Sequence, residues 1–512
     1  MDSEGTPIEG WGGNSGDATT GDGSGDSTQS PAVSYSFSGE SEIPVFEPYH
    51  IHLMMVGDNL FHTGLVNEGK QADGTRNYDF EFEGVMQDLI RAADIRIINQ
   101  ESPLGGDDRE FTSYPVFNTP SEVGDATAKA GFNVVIAATN HARDAGQSGV
   151  IHMSDFYATK YPEMLVCGIH GSVPQTQSIE IRTENADANE GFKNYHAALD
   201  AGVDPEIAKA LLPYTPKYQA GTIDNLIETY THDLAVDNAR KVVEIALSGQ
   251  SDGSETNSTP DPDEQIVTEY GTSSPSRIKM AVVDGYKFAI LNYTYSINWE
   301  SWPADVDGYI ERLNPYNDSR MLDFETLDTQ VLADIAAARK IADIVIVCPH
   351  WGVEYTFRPI ERQVRFANQM IDAGADLIIG AHPHVIEPIE EITTDNGNKG
   401  LCFYSVGNYI STQDHPERVL EMMAWVSFKV DGDGISIDME ETGGLPLVNH
   451  YTKSGGFTHR IYALEDYTEE LANAHGMKYH GDCGIVRLSD LQTWASQVIG
   501  DRMLTKEDIL DK

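Results

Sequence analysis

Short apolar runs that each break off into a polar cluster restrict the folds open to this chain more than any other feature. His52-Leu-Met-Met-Val56 stops at Gly57-Asp58, and Ile95-Arg-Ile-Ile98 stops at Asn99-Gln100-Glu101. Val134-Val-Ile-Ala137 leads to Thr139-Asn140-His141, Ile344-Val-Ile-Val347 to Pro349-His350-Trp351, and Leu377-Ile-Ile379 to Gly380-Ala-His382-Pro-His384. Runs of this length and composition read as buried strands. Between them, Val85, Leu89 and Ile90, and later Leu327, Val331, Ile335 and Ala338, recur at helical spacing. The class is therefore α/β. Open α/β sheets gather their ligands where strands end, so the polar clusters are expected to meet.

Their residue types indicate what they would hold. On an extended backbone His382 and His384 face the same side. A lone His-x-His is a weak signal. Joined by Asp58, Glu101, Asn140 and His350, it becomes a ligand set for a pair of hard or borderline divalent cations, with Mn, Fe, Zn or Mg all allowed by ligand type. Such cations polarise phosphoryl or carbonyl oxygens and acidify bound water. Asp58 or Glu101 is suited to bridge two of them. His141 is a candidate to protonate a leaving group, and Trp351 and Tyr355 are candidates to line a substrate cleft.

Elsewhere the pattern predicts helices over Phe82–Ala93, from Pro120 to Gly131, over Phe324–Ala342 and over Glu361–Ala373. Further strands are expected at Met164–Cys167, in a hairpin turning at Asp284-Gly285, and antiparallel over Met423–Val430 and Ile435–Met439. The α/β rhythm pauses near Pro174. The expected division is a Gly/Ser/Asp-rich tether over 1–44, an α/β domain over 45–174 and 275–450, a mainly helical insertion with an acidic linker over 175–274, and a C-terminal extension over 451–512.

Charge excludes some partners. With 81 acidic and 34 basic residues among 512, the formal net charge is −47. That field repels nucleic acid and anionic membrane surfaces, and a polyanionic substrate would have to be drawn in by metal or local cations. Cys167, Cys348, Cys402 and Cys483 show no paired spacing. The first three sit in apolar runs, as buried thiols do. Residues 1–44 contain no Lys or Arg and cannot form a packed core. They fit a tether left after removal of a signal sequence, which gives an extracytoplasmic, surface-anchored expectation.

Val56-Gly-Asp58, Asn99-Gln-Glu-Ser-Pro-Leu104, Asn140-His-Ala-Arg-Asp-Ala-Gly146, His350-Trp-Gly-Val-Glu-Tyr355, Gly380-Ala-His-Pro-His-Val385 and Tyr404-Ser-Val-Gly-Asn408 together resemble the signature of the CapA family. These are poly-gamma-glutamate capsule biosynthesis proteins of the calcineurin-like metallophosphoesterase superfamily. The resemblance implies a four-layer α/β/β/α sandwich with two metals between the sheet ends. Asp58, Glu101 and His384 would serve one metal; Glu101, Asn140, His350 and His382 would serve the other. His141 would face substrate, with Asp144 of the same block assigned to catalysis beside it. Asn59, Trp351, Glu354, Tyr355 and Asn408 are expected to contact substrate. The chain departs from the superfamily where Asn59 and Leu60 follow Asp58 in place of Asp-x-His, the nearest histidine being His62. It departs again at Thr139, and at Glu387, which would add negative charge near the site.

The resemblance implies a metal-dependent hydrolase-like protein of poly-gamma-glutamate synthesis or export, with the polymer and membrane-bound capsule synthesis proteins as partners. The alternatives are a non-catalytic polymer-binding component of the same assembly and a general phosphoesterase.

Overall fold

The computed structural model describes residues 48–183, 185, 265–431, 434–453, 456–479 and 484–510. They belong to one compact unit, Ile43–Lys512. Cys483, the expected tether and most of the expected insertion lie outside the described residues. Strands are β1 (Tyr49–Asn59), β2 (Ile95–Asn99), β3 (Val134–Ile136), β4 (Leu165–Cys167), β5 (Ser178–Ile181), β6 (Ile266–Thr268), β7 (Gly271–Ser273), β8 (Lys279–Val283) and β9 (Tyr286–Thr294). They continue as β10 (Ile344–His350), β11 (Leu377–Ile379), β12 (Ile389–Thr393), β13 (Lys399–Phe403), β14 (Asn408–Ile410), β15 (Leu420–Asp431), β16 (Gly434–Ile437), β17 (Gly443–Thr452) and β18 (Thr458–Ala463). The helices used below are α1 (Thr63–Glu68), α2 (Val85–Ala92), α3 (Ser121–Ala130), α4 (Gly146–Lys160), α5 (Thr329–Ile341), α6 (Glu361–Asp372) and α7 (Glu469–Ala474).

The strands form two large mixed sheets. One runs β18-β17-β15-β1-β2-β3-β4, with β14 added on β1 and β16 on β15; the other runs β12-β13-β11-β10-β9-β8-β5. Period-two alternation assigns each strand's side chains to two cores. Ile51, Leu53 and Met55 of β1 join Phe288 and Ile290 of β9, Ile344 and Ile346 of β10 and Leu377 of β11 in a single cluster drawn from both sheets. Met54 and Val56, on the opposite face of β1, pack with Leu89 of α2, Val123 of α3 and Met153 of α4. Val345 and Val347 of β10 pack with Val331 and Ile335 of α5 and with Phe366 and Met370 of α6. Each such fully buried aliphatic side chain contributes roughly 1.5–3 kcal/mol, so strand runs that are apolar on both faces are what this arrangement requires.

Several elements differ from expectation. α5 starts at Thr329 and not near Phe324, because the Asp328 side chain accepts from the Gln330 N–H and caps the helix there. α4 was not legible, since only a thin stripe including Val150, Met153 and Tyr157 is buried. At the margins of the expected helical insertion the backbone is extended: β5 pairs with β8 in the second sheet, and β6 pairs with β7. Beyond 450, β18 pairs with β17. Cys167, Cys348 and Cys402 are free and buried. Among the described residues no helix is long and apolar enough to cross a membrane.

Candidate metal centre

The strand ends converge as the sequence pattern requires. β1 lies parallel to both β2 and β14, which sets Asp58 opposite Asn99 and Asn408, with register shifts around Asp58. Gly57 permits this crossing, since a Cβ there would run into the Gly407 carbonyl oxygen. In the second sheet β10 ends on His350, which bridges to Ala381.

His382 and His384 do not lie on extended backbone. β11 stops at Ile379, and both histidines take left-handed conformations, φ 101° and 59°. Such conformations cost energy in non-glycine residues and cluster at functional sites. The turn still brings their rings to 5.9 Å from one another, and the His382 ring lies 4.9 Å from His350 and 4.6 Å from Tyr295.

Around His384 Nδ1 the neighbours are acceptors. Asp58 Oδ2 and Asn408 Oδ1 each lie 3.0 Å away, and Glu101 Oε2 lies at 3.8 Å. Acceptors crowd together in a buried place only around a cation, a proton or a metal. In the ion-free protein a proton serves. Although burial opposes it, Glu101 and Asp58 hold the imidazole up to about 9. His350 Nε2 lies 2.8 Å from Asn140 Oδ1 and 3.6 Å from Glu101 Oε1, and the Asn140 amide donates to Asn298 Oδ1 at 3.1 Å. Asn99 Nδ2 donates to Asp58 Oδ1 at 2.6 Å.

Glu101 sits between the two imidazoles with one oxygen toward each, and neither oxygen has a hydrogen-bond partner. His382 Nδ1 is likewise buried and unpartnered. Burial, then His350 and His384, push His382 far below the usual imidazole range, so its ring is uncharged and suited to ligate a cation. Leaving a buried carboxylate unsatisfied costs several kcal/mol, and a cation between these groups removes that cost. Asp58, Glu101 and His384 form one metal-competent group; Glu101, His350 and His382 form another, sharing Glu101. Glu354, exposed at the rim, groups with His382 and His384. The residues present therefore fit divalent cations.

His141 stands beside this cluster. Its Nδ1 lies 2.7 Å from Asp144 Oδ2, which also accepts from the Phe117 N–H. Burial lowers the His141 pKa, but the bond to Asp144 and the charge of Glu101 outweigh it and the net shift is upward. Asp144 thus fixes the Nδ1 proton and leaves Nε2 for exchange.

Four residues expected to touch substrate or to charge the site behave otherwise. Trp351 is 1% exposed, donates its Nε1–H to Tyr404 O at 2.9 Å and belongs to the α5–α6 core; its large ring is worth more buried there. Asn59 points away, donating to Gln100 Oε1 at 3.0 Å, because successive side chains of β1 leave on opposite faces. Asn408 is buried and bonded to His384, so it orients that ring. Glu387 adds no full negative charge at neutral pH, since burial pushes its carboxyl up to about 8. Tyr355 is exposed, stacks near His384 and lies under the Arg418 guanidinium. Missed by the pattern were Asn298, just past β9, with φ 64°, and Phe117, whose edge contacts both His62 and His141. Asn298 had a signal, a polar residue after a strand; Phe117 had none.

A mixed α/β protein carrying a buried carboxylate–imidazole cluster at its sheet ends is the class so defined. The family model described as bacterial capsule synthesis protein PGA_cap matches residues 52–266 and 268–413. The chain belongs to that family, the CapA family. PGA biosynthesis protein CapA of Bacillus subtilis (strain 168) is 36% identical over 141 residues, 25% of this chain and 36% of that protein. Capsule biosynthesis protein CapA of Bacillus anthracis is 46% identical over 72 residues, 14% of this chain and 16% of that protein. A probable polyglutamine synthesis accessory protein of Mycobacterium tuberculosis (strain CDC 1551 / Oshkosh) is 38% identical over 60 residues, 12% of this chain and 16% of that protein. The alignments thus span little more than a third of these relatives at most. A crystal structure of a hypothetical protein from Thermus thermophilus aligns over 81% of this chain and 99% of that one at 10% identity, with a TM-score of 0.33, too loose a match to bear on the fold.

Proposed function

We propose that this CapA-family protein is a metal-dependent hydrolase acting outside the cytoplasm on poly-gamma-glutamate or a related capsule polymer, alongside membrane-bound synthesis proteins. We assign it the four-layer α/β/β/α sandwich of the metallophosphoesterases. Support for the layers comes from one core shared by both sheets and separate helix-facing cores on their other faces. The names of the relatives support the polymer, and the Lys- and Arg-free stretch over 1–44, read as a tether, supports the location.

The observation that carries the reading is Glu101, buried between two imidazoles with both carboxylate oxygens unpartnered. Asp58, Glu101 and His384 would hold one cation, and Glu101, Asn140, His350 and His382 the second. When bound, the pair supplies Lewis acidity toward the scissile group and toward water. The chain's own part is positional and protonic. Asn408 orients His384, and Asn298 orients Asn140. His141 delivers its Nε2 proton to the departing oxygen or nitrogen as water adds across the phosphoester or amide bond. Asp144 holds the Nδ1–H and, with Glu101, favours the imidazolium that carries this Nε2 proton.

Elemental analysis together with turnover of phosphoester and γ-glutamyl substrates tests this. The expected result is about two equivalents of metal and a kcat that falls roughly 10²–10⁴-fold in His141→Ala, with metal content unchanged. A fully loaded wild type that hydrolyses neither substrate class overturns the hydrolase reading.

A further inference from the structure

A chain with 34 basic residues against 81 acidic ones places three cations on a single cavity. The cavity measures about 320 Å³, and Lys70, Arg76, Arg109, Glu110 and Phe111 line it with Thr63. Lys70 and Arg76 are held side by side by a β-bridge between them. The Arg76 guanidinium lies over the Phe111 ring, 4.4 Å from its centre, and its Nε is buried without a partner.

The nearest partners of these cations are mostly neutral. Lys70 Nζ donates to Asn67 Oδ1 at 2.8 Å, and the Arg109 fork donates to Ala145 O at 2.6 Å and Ser148 Oγ at 3.1 Å. The acidic neighbours are looser: Glu122 lies 3.6 Å from Arg76, and the exposed Asp108 lies 3.7 Å from Arg109. Pairs of that kind contribute little, and the lining itself sets Lys70, Arg76 and Arg109 against one carboxylate, Glu110, inside a strongly negative molecule.

Its position ties it to the metal centre at two points. Thr63 follows His62, whose ring meets the edge of Phe117, and Phe117 meets His141. Arg109 bonds the carbonyl of Ala145, the residue after Asp144. We propose that this cavity is a subsite for the carboxylates of an acidic polymer chain, a γ-linked oligoglutamate, whose neighbouring residues run to the metal centre. The proposal rests on the capsule-polymer reading above for the identity of the chain. Arginine forks grip carboxylates in two-point hydrogen bonds, Phe111 and the cavity wall take up the methylenes between them, and the local charge overcomes the field that repels a polyanion elsewhere on the surface.

The test is binding of a fluorescent γ-linked oligoglutamate to the full chain after chelation of metal, with an equally charged inorganic polyphosphate as the second probe. Chelation separates this result from the fate of the hydrolase reading. Oligoglutamate is expected to bind the metal-free protein and to weaken on adding salt. Arg76→Gln with Arg109→Gln should weaken it at least tenfold, while Glu110→Gln should strengthen it several-fold, a gain that misfolding cannot mimic. Unchanged affinity in both variants overturns the subsite and leaves the metal centre untouched. No binding of oligoglutamate to wild type overturns the subsite and the polymer assignment together. Tighter binding of polyphosphate than of oligoglutamate overturns the carboxylate assignment in favour of phosphate.

Discussion

At the strand ends His350, His382 and His384 surround Asp58 and Glu101, whereas at the β17–β18 edge His450, His459 and His475 surround Asn449. Both groups are buried, yet their chemistry differs. In the second group, His450 Nδ1 pairs with the Tyr467 hydroxyl at 2.7 Å, and His459 Nε2 bonds Asn449 Oδ1. His475 Nε2 donates to the Asn449 carbonyl at 3.1 Å and its Nδ1 accepts from the Met477 N–H at 3.1 Å. Burial pushes His450 down to about 4, and burial with its two neighbours pushes His459 to about 3. The neighbouring carboxylate, Glu68, accepts the His459 backbone N–H and is itself pushed by burial to about 7. These imidazoles therefore meet neutral partners and no carboxylate, although His459 Nδ1 itself has no hydrogen-bond partner. At the strand ends carboxylates leave a deficit of positive charge that only a proton or metal fills. Histidine content does not distinguish a structural cluster from a metal site; the oxygens around the rings do.

Removing ligands should have the largest effect. His382→Ala with His384→Ala should lower metal affinity by more than about 100-fold, beyond the range seen when only outer partners of ligands are lost. Retention of metal by that variant, measured by elemental analysis, would remove the basis of the contrast. Glu101→Gln sharpens the same point. It should abolish metal binding and move the alkaline loss of stability of the metal-free protein to lower pH, because the carboxylate that helps hold the His384 proton has gone. Chemical denaturation in chelator across pH reads this, and an unmoved alkaline limb would mean that Glu101 shares no charge with His384.

The histidines on β17 and β18 should behave oppositely. Asn449→Ala should cost about 1–3 kcal/mol by leaving the buried His459 Nε2–H unpartnered, with metal content unchanged. Their titration gives a pH test. Folded His450 and His459 bind protons less readily than in the unfolded chain, so their contribution is complete above about 6.5 and is lost as pH falls toward 4 and 3. Each then removes up to about 1.4 kcal/mol per pH unit. His384 has the reverse sign, since its folded pKa is raised. Its contribution in the metal-free protein is complete below about 6.5 and disappears as pH rises through about 9. A metal at His384 replaces that proton, so loading should flatten the alkaline limb and leave the acid limb in place. If loading flattens the acid limb instead, the two clusters are not independent.

The sequence shows this contrast only in part, for a physical reason. Strands buried on both faces announce themselves as apolar runs, so Asp58, Glu101, Asn140, His350, His382 and His384 were legible as strand-end residues. The direction in which a side chain leaves the strand end was not. Two left-handed residues, not an extended strand, aim His382 and His384. The β17–β18 histidines lie in a region without a comparable pattern, and their pairing with Asn449 depends on strand register that the residues do not declare. Charge state was equally hidden, as Glu387 shows: a glutamate in the sequence, largely a neutral acid in the fold at pH 7.

The smallest effect concerns Trp351, an aromatic between the cluster and the core. Packed under α5 and α6 and bonded to Tyr404 O, it should tolerate Trp351→Phe with a loss of about 1–2 kcal/mol from one hydrogen bond and some packing. Its ring is sealed from solvent, so KM should stay put while the melting temperature drops. Tyr355 reverses the pattern. It is exposed beside His384, so Tyr355→Ala should change KM more than stability. Equal KM changes in both variants would place Trp351 at the substrate, against the burial that now assigns it to the scaffold.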